Sequence, residues 1–102
     1  MKQEKPDQYY EAVLQLRNNP PEESVSCVVN AIKKRKGVSI AKLSKVKGGI
    51  DIYISSQRFT RTLGKLLKKS FKGELIESRK LYGMDRQKSK KIYRGTVLFR
   101  FD

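Results

Sequence analysis

The stretch GIDIYISSQRFTRTLGKLLKKSFKG, residues 49–73, decides the fold. Isoleucines at positions 50, 52 and 54 alternate with more polar residues, a pattern typical of a half-buried β-strand. Ser55 or Ser56 is then a suitable N-cap for a helix that runs to about Lys72, before Gly73. Apolar side chains recur along it at helical spacing: Phe59, Leu63, Leu66, Leu67 and Phe71. The stretch predicts a strand followed by an amphipathic helix.

The residues before this stretch predict a hairpin partner, a helix and a first strand. Val38–Val46 is rich in β-branched residues, and the turn sequence Lys47-Gly48-Gly49 joins it to the isoleucine strand. Tyr9–Arg17 alternates apolar and polar residues. Asn19 before two prolines predicts the cap of a first helix, which Gly37 ends. Its apolar stripe comprises Val25, Val28, Val29 and Ile32.

Two more extended runs follow, Leu75–Tyr82 and Lys91–Phe101, with the polar residues Gly83–Lys90 as a turn between them. The predicted order is β-α-β-β-α-β-β. An α+β fold, with two helices packed on a largely antiparallel sheet, fits that order. Met1–Gln8 lacks periodicity and is predicted to be a flexible lead-in, whereas residues 9–102 form a single domain.

Charge indicates the class of partner. The chain has 24 Lys and Arg against 10 Asp and Glu, a formal net charge of +14. Such an excess repels itself in the folded state, so it usually accompanies a polyanion, and nucleic acid is the commonest one. The alternative is that lysine serves only for solubility.

Other functional classes find little support in the residues. Cys27 is the sole cysteine and histidine is absent, so we expect no disulfide, no multi-ligand Cys/His metal site and no cofactor. Paired carboxylates, nucleophile–base pairs and phosphate-binding glycine loops are not evident, so we expect neither an enzyme nor a small-molecule substrate. No run approaches the roughly 20 apolar residues of a membrane span. We therefore expect a cytoplasmic protein with no membrane partner.

The second helix has a cationic side, here called the basic helix face. Its residues fall within an arc of about 100° opposite the apolar stripe. No acidic residue interrupts the arc, so it forgoes the i,i+4 ion pairs that surface helices commonly use. This pattern favours an external anion, and the alternative is an ordinary solvated lysine face. The predicted RNA-binding residues here are Arg58, Arg61, Lys65, Lys68, Lys69 and Lys72.

A second cluster, here called the basic arm, falls on the last two strands and their turn. Long cationic side chains on a two-stranded arm can reach phosphates, and Tyr82 and Tyr93 could stack on unpaired bases. For these tyrosines, sheet packing is the favoured alternative. The predicted RNA-binding residues of the arm are Arg79, Lys80, Arg86, Lys88, Lys90, Lys91 and Arg94.

Several segments resemble the archaeal members of the nonsense-mediated-decay protein three family. The resemblance covers about Tyr9 to Arg100, and Gly49–Ser56, GIDIYISS, is its most specific part. The other segments are YYEAVLQLR at 9–17, ESRKL at 77–81 and DRQKSK at 85–90. Eukaryotic members are export adaptors and late maturation factors of the large ribosomal subunit. The resemblance thus implies binding to that subunit and its ribosomal RNA, with ribosomal proteins as further candidate partners.

The chain departs from the family pattern in one respect. Family members carry an amino-terminal zinc module with repeated Cys-x-x-Cys pairs, whereas this chain has only Cys27. We therefore expect it to be the domain that follows that module in a longer protein.

The alternative function is a protein–protein assembly module that recognises an acidic partner, by strand addition at an exposed sheet edge.

Overall fold

A computed structural model of the chain describes residues 9–85 and 90–102, with side chains over residues 9–79 and 94–102. The predicted order β-α-β-β-α-β-β and the α+β class are confirmed. The elements are β1 (Ala12–Arg17), α1 (Glu22–Lys34), β2 (Ile40–Val46), β3 (Gly49–Ile54), α2 (Gln57–Ser70), β4 (Gly73–Asp85) and β5 (Lys90–Phe101).

The strands form one sheet in the order β2-β3-β1-β5-β4. β1 lies in the centre, antiparallel to β3 and parallel to β5, while β2–β3 and β4–β5 are antiparallel hairpins. Because side chains alternate across a strand, the sheet has one face covered by helices and one open face. The core lies between the sheet and the helices, and its strand residues include Leu14, Leu16, Ile52, Ile54, Val97 and Phe99.

Both helices complete this core with their apolar stripes. α2 contributes Leu63 and Leu67, each nearly inaccessible, and α1 contributes Val28 and Ile32. A Cβ at Gly64 would lie 2.8 Å from Cγ1 of Val97, so the glycine lets α2 approach the sheet closely. Glycine at this position lowers the intrinsic helix propensity of α2 but allows close packing of the helix against the sheet.

The first helix begins later than the sequence predicted, and Asn19 is not its cap. Asn19 adopts φ 57°, and its N–H donates to the carbonyl of Gly48 at 2.9 Å. α1 begins at Glu22 after Pro21, whose side chain provides no capping hydrogen bond. The cause is local, because a residue before proline is disfavoured from helical geometry, and Asn19 and Pro20 both precede prolines.

The second helix and the last hairpin also differ at their ends. α2 ends at Ser70, since Phe71 turns extended and packs its ring 5.7 Å from that of Phe101. Gly73 is the first residue of β4, where a Cβ would collide with the carbonyl of Arg100. Residues assigned to the predicted turn, Gly83–Asp85, continue β4 and pair with β5 after a register shift. The sequence missed this extension because it depends on backbone pairing with β5, which no local pattern of side chains encodes.

Candidate nucleic-acid interface

The basic helix face lies on the side of α2 that points away from the sheet. Arg58, Lys65, Lys68 and Lys69 are exposed and Arg61 is partly buried, whereas Leu63 and Leu67 face the core. Lys72 is also exposed, although it falls in the connection to β4 rather than in the helix. α2 contains no Asp or Glu, so the face carries charge of one sign.

The hydrogen bonds of this face go to neutral groups. Lys68 donates through Nζ to the carbonyl oxygen of Gly73 at 2.8 Å. Arg61 donates through Nη1 to Oε1 of Gln57 at 3.4 Å. Neither contact cancels a positive charge, so both cations remain available to an anion.

The amino terminus of α2 receives a carboxylate from outside the helix. Ser56 Oγ accepts the Phe59 N–H at 3.1 Å, as the N-cap prediction required. In addition, Glu11 Oε1 accepts the Gln57 N–H at 2.8 Å. The other oxygen of Glu11 accepts the Tyr9 hydroxyl at 2.6 Å, and that hydrogen bond raises the pKa of Tyr9. Sequence reasoning missed Glu11 because 46 residues separate it from Gln57 and no local pattern links them.

The structure brings one residue of the basic arm to the basic helix face. Arg61 and Arg79 line a common cleft of about 250 Å³ between α2 and β4, together with Glu77 and Ser78. In the sheet, Arg79 pairs with Gly95, where an added Cβ would lie 3.1 Å from the Gln57 side chain. Arg79 therefore lies on the helix-covered side of the sheet, beside α2.

Arg94 lies on the opposite, open face of the sheet. Its guanidinium carbon is 4.1 Å from the ring centroid of Tyr10, which in turn contacts the ring of Tyr53 edge-on at 5.0 Å. Burial, the Asp51 carboxylate and Tyr10 raise the pKa of Tyr53. The cation–π contact gives Arg94 a packing role. Its position on the open face separates it from the cations of α2.

The remaining arm residues have side chains outside the described part of the chain. Lys80 lies in β4, and Lys90 and Lys91 lie in β5, but their side chains fall outside the described residues, as do those of Tyr82 and Tyr93. The predicted sites Arg86 and Lys88 lie wholly outside the described residues, and so does the lead-in Met1–Gln8. For all of these the RNA-binding assignment or the predicted flexibility stays a prediction.

A wider cleft occupies the other end of the domain. It has a volume of about 670 Å³, lies between the start of α1 and the β2–β3 turn, and its lining includes Glu22, Val25, Lys45 and Ile50. Its charges are of both signs, so it favours no single class of ligand. Within residues 9–85 and 90–102, no three His, Cys, Asp or Glu side chains gather as a metal site. Neither described helix is long and apolar enough to cross a membrane.

Fold and surface together define a small α+β domain with a one-signed cationic helix on its exterior. Residues 9–101 match the family described as NMD3, second domain. The chain therefore belongs to the NMD3 family, whose members are ribosome-associated factors of the large-subunit pathway. A comparison with curated proteins found no match.

Proposed function

We propose that this domain binds ribosomal RNA of the large subunit through the basic helix face and the adjoining part of the basic arm. The observation that carries the proposal is that α2 has five cations and no carboxylate along its length. Arg58 stands in its first turn, where the positive end of the helix dipole disfavours a cation. The Glu11 carboxylate at Gln57 offsets part of this cost, and an anionic ligand would offset the repulsion among the cations farther along α2.

Arg79 supports a surface wider than one helix. Its position beside Arg61 joins α2 to β4, so one RNA backbone could follow both elements. The proposed activity is binding without a catalytic step. We also propose that the protein is cytoplasmic and of archaeal type, with a zinc module before this domain. Binding that neutralises about 5–8 phosphates should weaken with salt at a log–log slope of roughly −4 to −7.

A matched pair of variants tests the proposal. Lys65→Glu/Lys69→Glu reverses two exposed cations on α2, and Lys45→Glu/Lys47→Glu reverses two exposed cations at the β2–β3 turn. Both change the net charge by the same amount. We expect the α2 variant to weaken binding to large-subunit ribosomal RNA about a hundredfold at 0.1 M salt, from two lost contacts plus repulsion, and to lower the slope by about two. Equal losses from both variants would mean that only net charge matters, and would contradict the proposed surface.

An acidic protein partner remains the second candidate. Strand addition needs an open sheet edge, and the edge strands are β2 and β4. Each edge strand also carries an exposed apolar residue, Leu43 at 41% on β2 and Ile76 at 44% on β4. A competition assay with ribosomal RNA shows whether a bound protein occupies the proposed RNA surface or a sheet edge. Ribosomal RNA should displace a protein bound to the basic helix face, whereas a strand-addition partner should stay bound.

A further inference from the structure

A second basic cleft lies where the end of α1 meets the start of α2. Its volume is about 240 Å³, and its lining includes Arg35, Lys36 and Arg58 around the ring of Phe59. The cleft at Arg61 contains Glu77 and the wide cleft contains Glu22, but no carboxylate lines this one. Among these three clefts, it alone has cations without a counter-charge.

The guanidinium of Arg35 has an aromatic support in this cleft. Its Cζ lies 5.7 Å from the centroid of the Phe59 ring, and Phe59 itself packs against the core. A ring fixed by core packing orients a guanidinium that stacks on it, and the edge N–H groups stay free to donate to phosphate oxygens. Arg58 is exposed on the same cleft and also belongs to the basic helix face. The cleft is thus continuous with that face.

The dipole of α1 favours cations at its carboxyl end, where Arg35 and Lys36 lie, but other residues already meet that need. Lys33 and Lys34 already occupy the last turn of α1, where cations favour the negative end of the dipole. Arg35 is the C-cap with an extended backbone, and Gly37, at φ 86°, redirects the chain. Nor is the cleft only a helix amino terminus, because the Gln57 and Phe59 amides of α2 already have side-chain acceptors.

We infer that Arg35, Lys36 and Arg58 bind a backbone phosphate of the same RNA that the basic helix face binds, and extend the interface from α2 to the end of α1. This inference rests on the proposed function. A guanidinium donates to phosphate through two parallel N–H groups, which fixes the phosphate in position as well as attracting it.

The experiment compares two neutralised pairs from the same segment. Arg35→Gln/Lys36→Gln removes two cleft cations, and Lys33→Gln/Lys34→Gln removes two exposed cations outside the cleft. Affinity for large-subunit ribosomal RNA is measured by filter binding over a salt series. At 0.1 M salt each lost phosphate contact should weaken binding about five- to tenfold and lower the slope by about one. The cleft pair should show this loss, and the control pair should show less than half of it on a logarithmic scale.

Three further measurements make the outcome decisive. Arg35→Lys keeps the charge but loses the planar donor pair, so we expect an intermediate loss of affinity. Lys36→Gln provides the same test if the double variant does not fold in a thermal melt. Equal losses from the cleft and control pairs would overturn the cleft while leaving the proposed function intact, provided that Lys65→Glu/Lys69→Glu still weakens binding. Salt-independent RNA binding by the unmodified domain would overturn both the cleft and the proposed function. If the cleft pair weakens binding to poly-glutamate as much as binding to RNA, the cleft is a site for acidic protein instead.

Discussion

The two helices lie on the same sheet face and bury similar stripes, yet they distribute charge differently. α1 carries Glu22 and Glu23 in its first turn and Lys33 and Lys34 in its last, an arrangement that complements its dipole at both ends. α2 carries no acid in its first turn, where Arg58 stands instead. The charges of α1 thus stabilise the helix itself.

α2 obtains its stabilisation from elsewhere. Ser56 caps α2, and Glu11, the residue immediately before β1, places its carboxylate at the amino terminus of α2. Tertiary structure therefore supplies the negative charge that its own first turn lacks. This arrangement leaves the exterior of α2 available for cations, and the contrast with α1 supports the binding surface proposed above.

In packing, the helices should behave alike. Leu67 of α2 is fully buried and Ile32 of α1 is 3% exposed, so truncation of either leaves a cavity in the shared core. We expect Leu67→Ala and Ile32→Ala each to lower the free energy of unfolding by about 2–5 kcal/mol. Chemical denaturation measures this change. A loss below about 1 kcal/mol at either site would mean that the helix is not seated on the core as described.

At the amino termini, the helices should differ. Ser56→Ala and Glu11→Ala each remove an acceptor from α2, and each should cost about 0.5–2 kcal/mol of stability. Pro21, at the start of α1, has no side-chain hydrogen bond to lose. Thermal melts of Pro21→Ala, which should change stability less than either α2 substitution, serve as the comparison. If Glu11→Ala melts like the unmodified domain, α2 does not depend on that carboxylate.

Removal of one charge from each helix should change the free energy of unfolding least, and in opposite directions for α2 and α1. Lys65 lies four residues from both Arg61 and Lys69, and like charges at this spacing destabilise a helix by about 0.2–0.5 kcal/mol per pair. Lys65→Gln should therefore stabilise the fold by about 0.4–1 kcal/mol while it weakens RNA binding. In α1, Glu23→Gln should destabilise it by about 0.3–1 kcal/mol, because a favourable dipole interaction is lost. Denaturation at low salt measures both changes, and a loss of stability from Lys65→Gln would contradict the assignment of these charges to a ligand.

Local periodicity was sufficient to predict the elements, their order and the exposed side of α2. Ile50, Ile52 and Ile54 alternate because one side of a strand is buried, and the α2 stripe recurs because a helix turns every 3.6 residues, so sequence neighbours carry the information. The predicted bounds were wrong at the ends of elements. Pro20 and Pro21 delay the start of α1, and backbone pairing with β5 extends β4 beyond its predicted end.

Tertiary structure alone decided which distant residues meet. The central position of β1, parallel to β5, places Glu11 at the start of α2 and Arg94 on the open face. The β4–β5 register places Arg79 beside Arg61, and the packing of α1 against α2 places Arg35 over Phe59. No local pattern encodes these contacts, because they depend on hydrogen-bonded pairing and core packing between segments far apart in the chain.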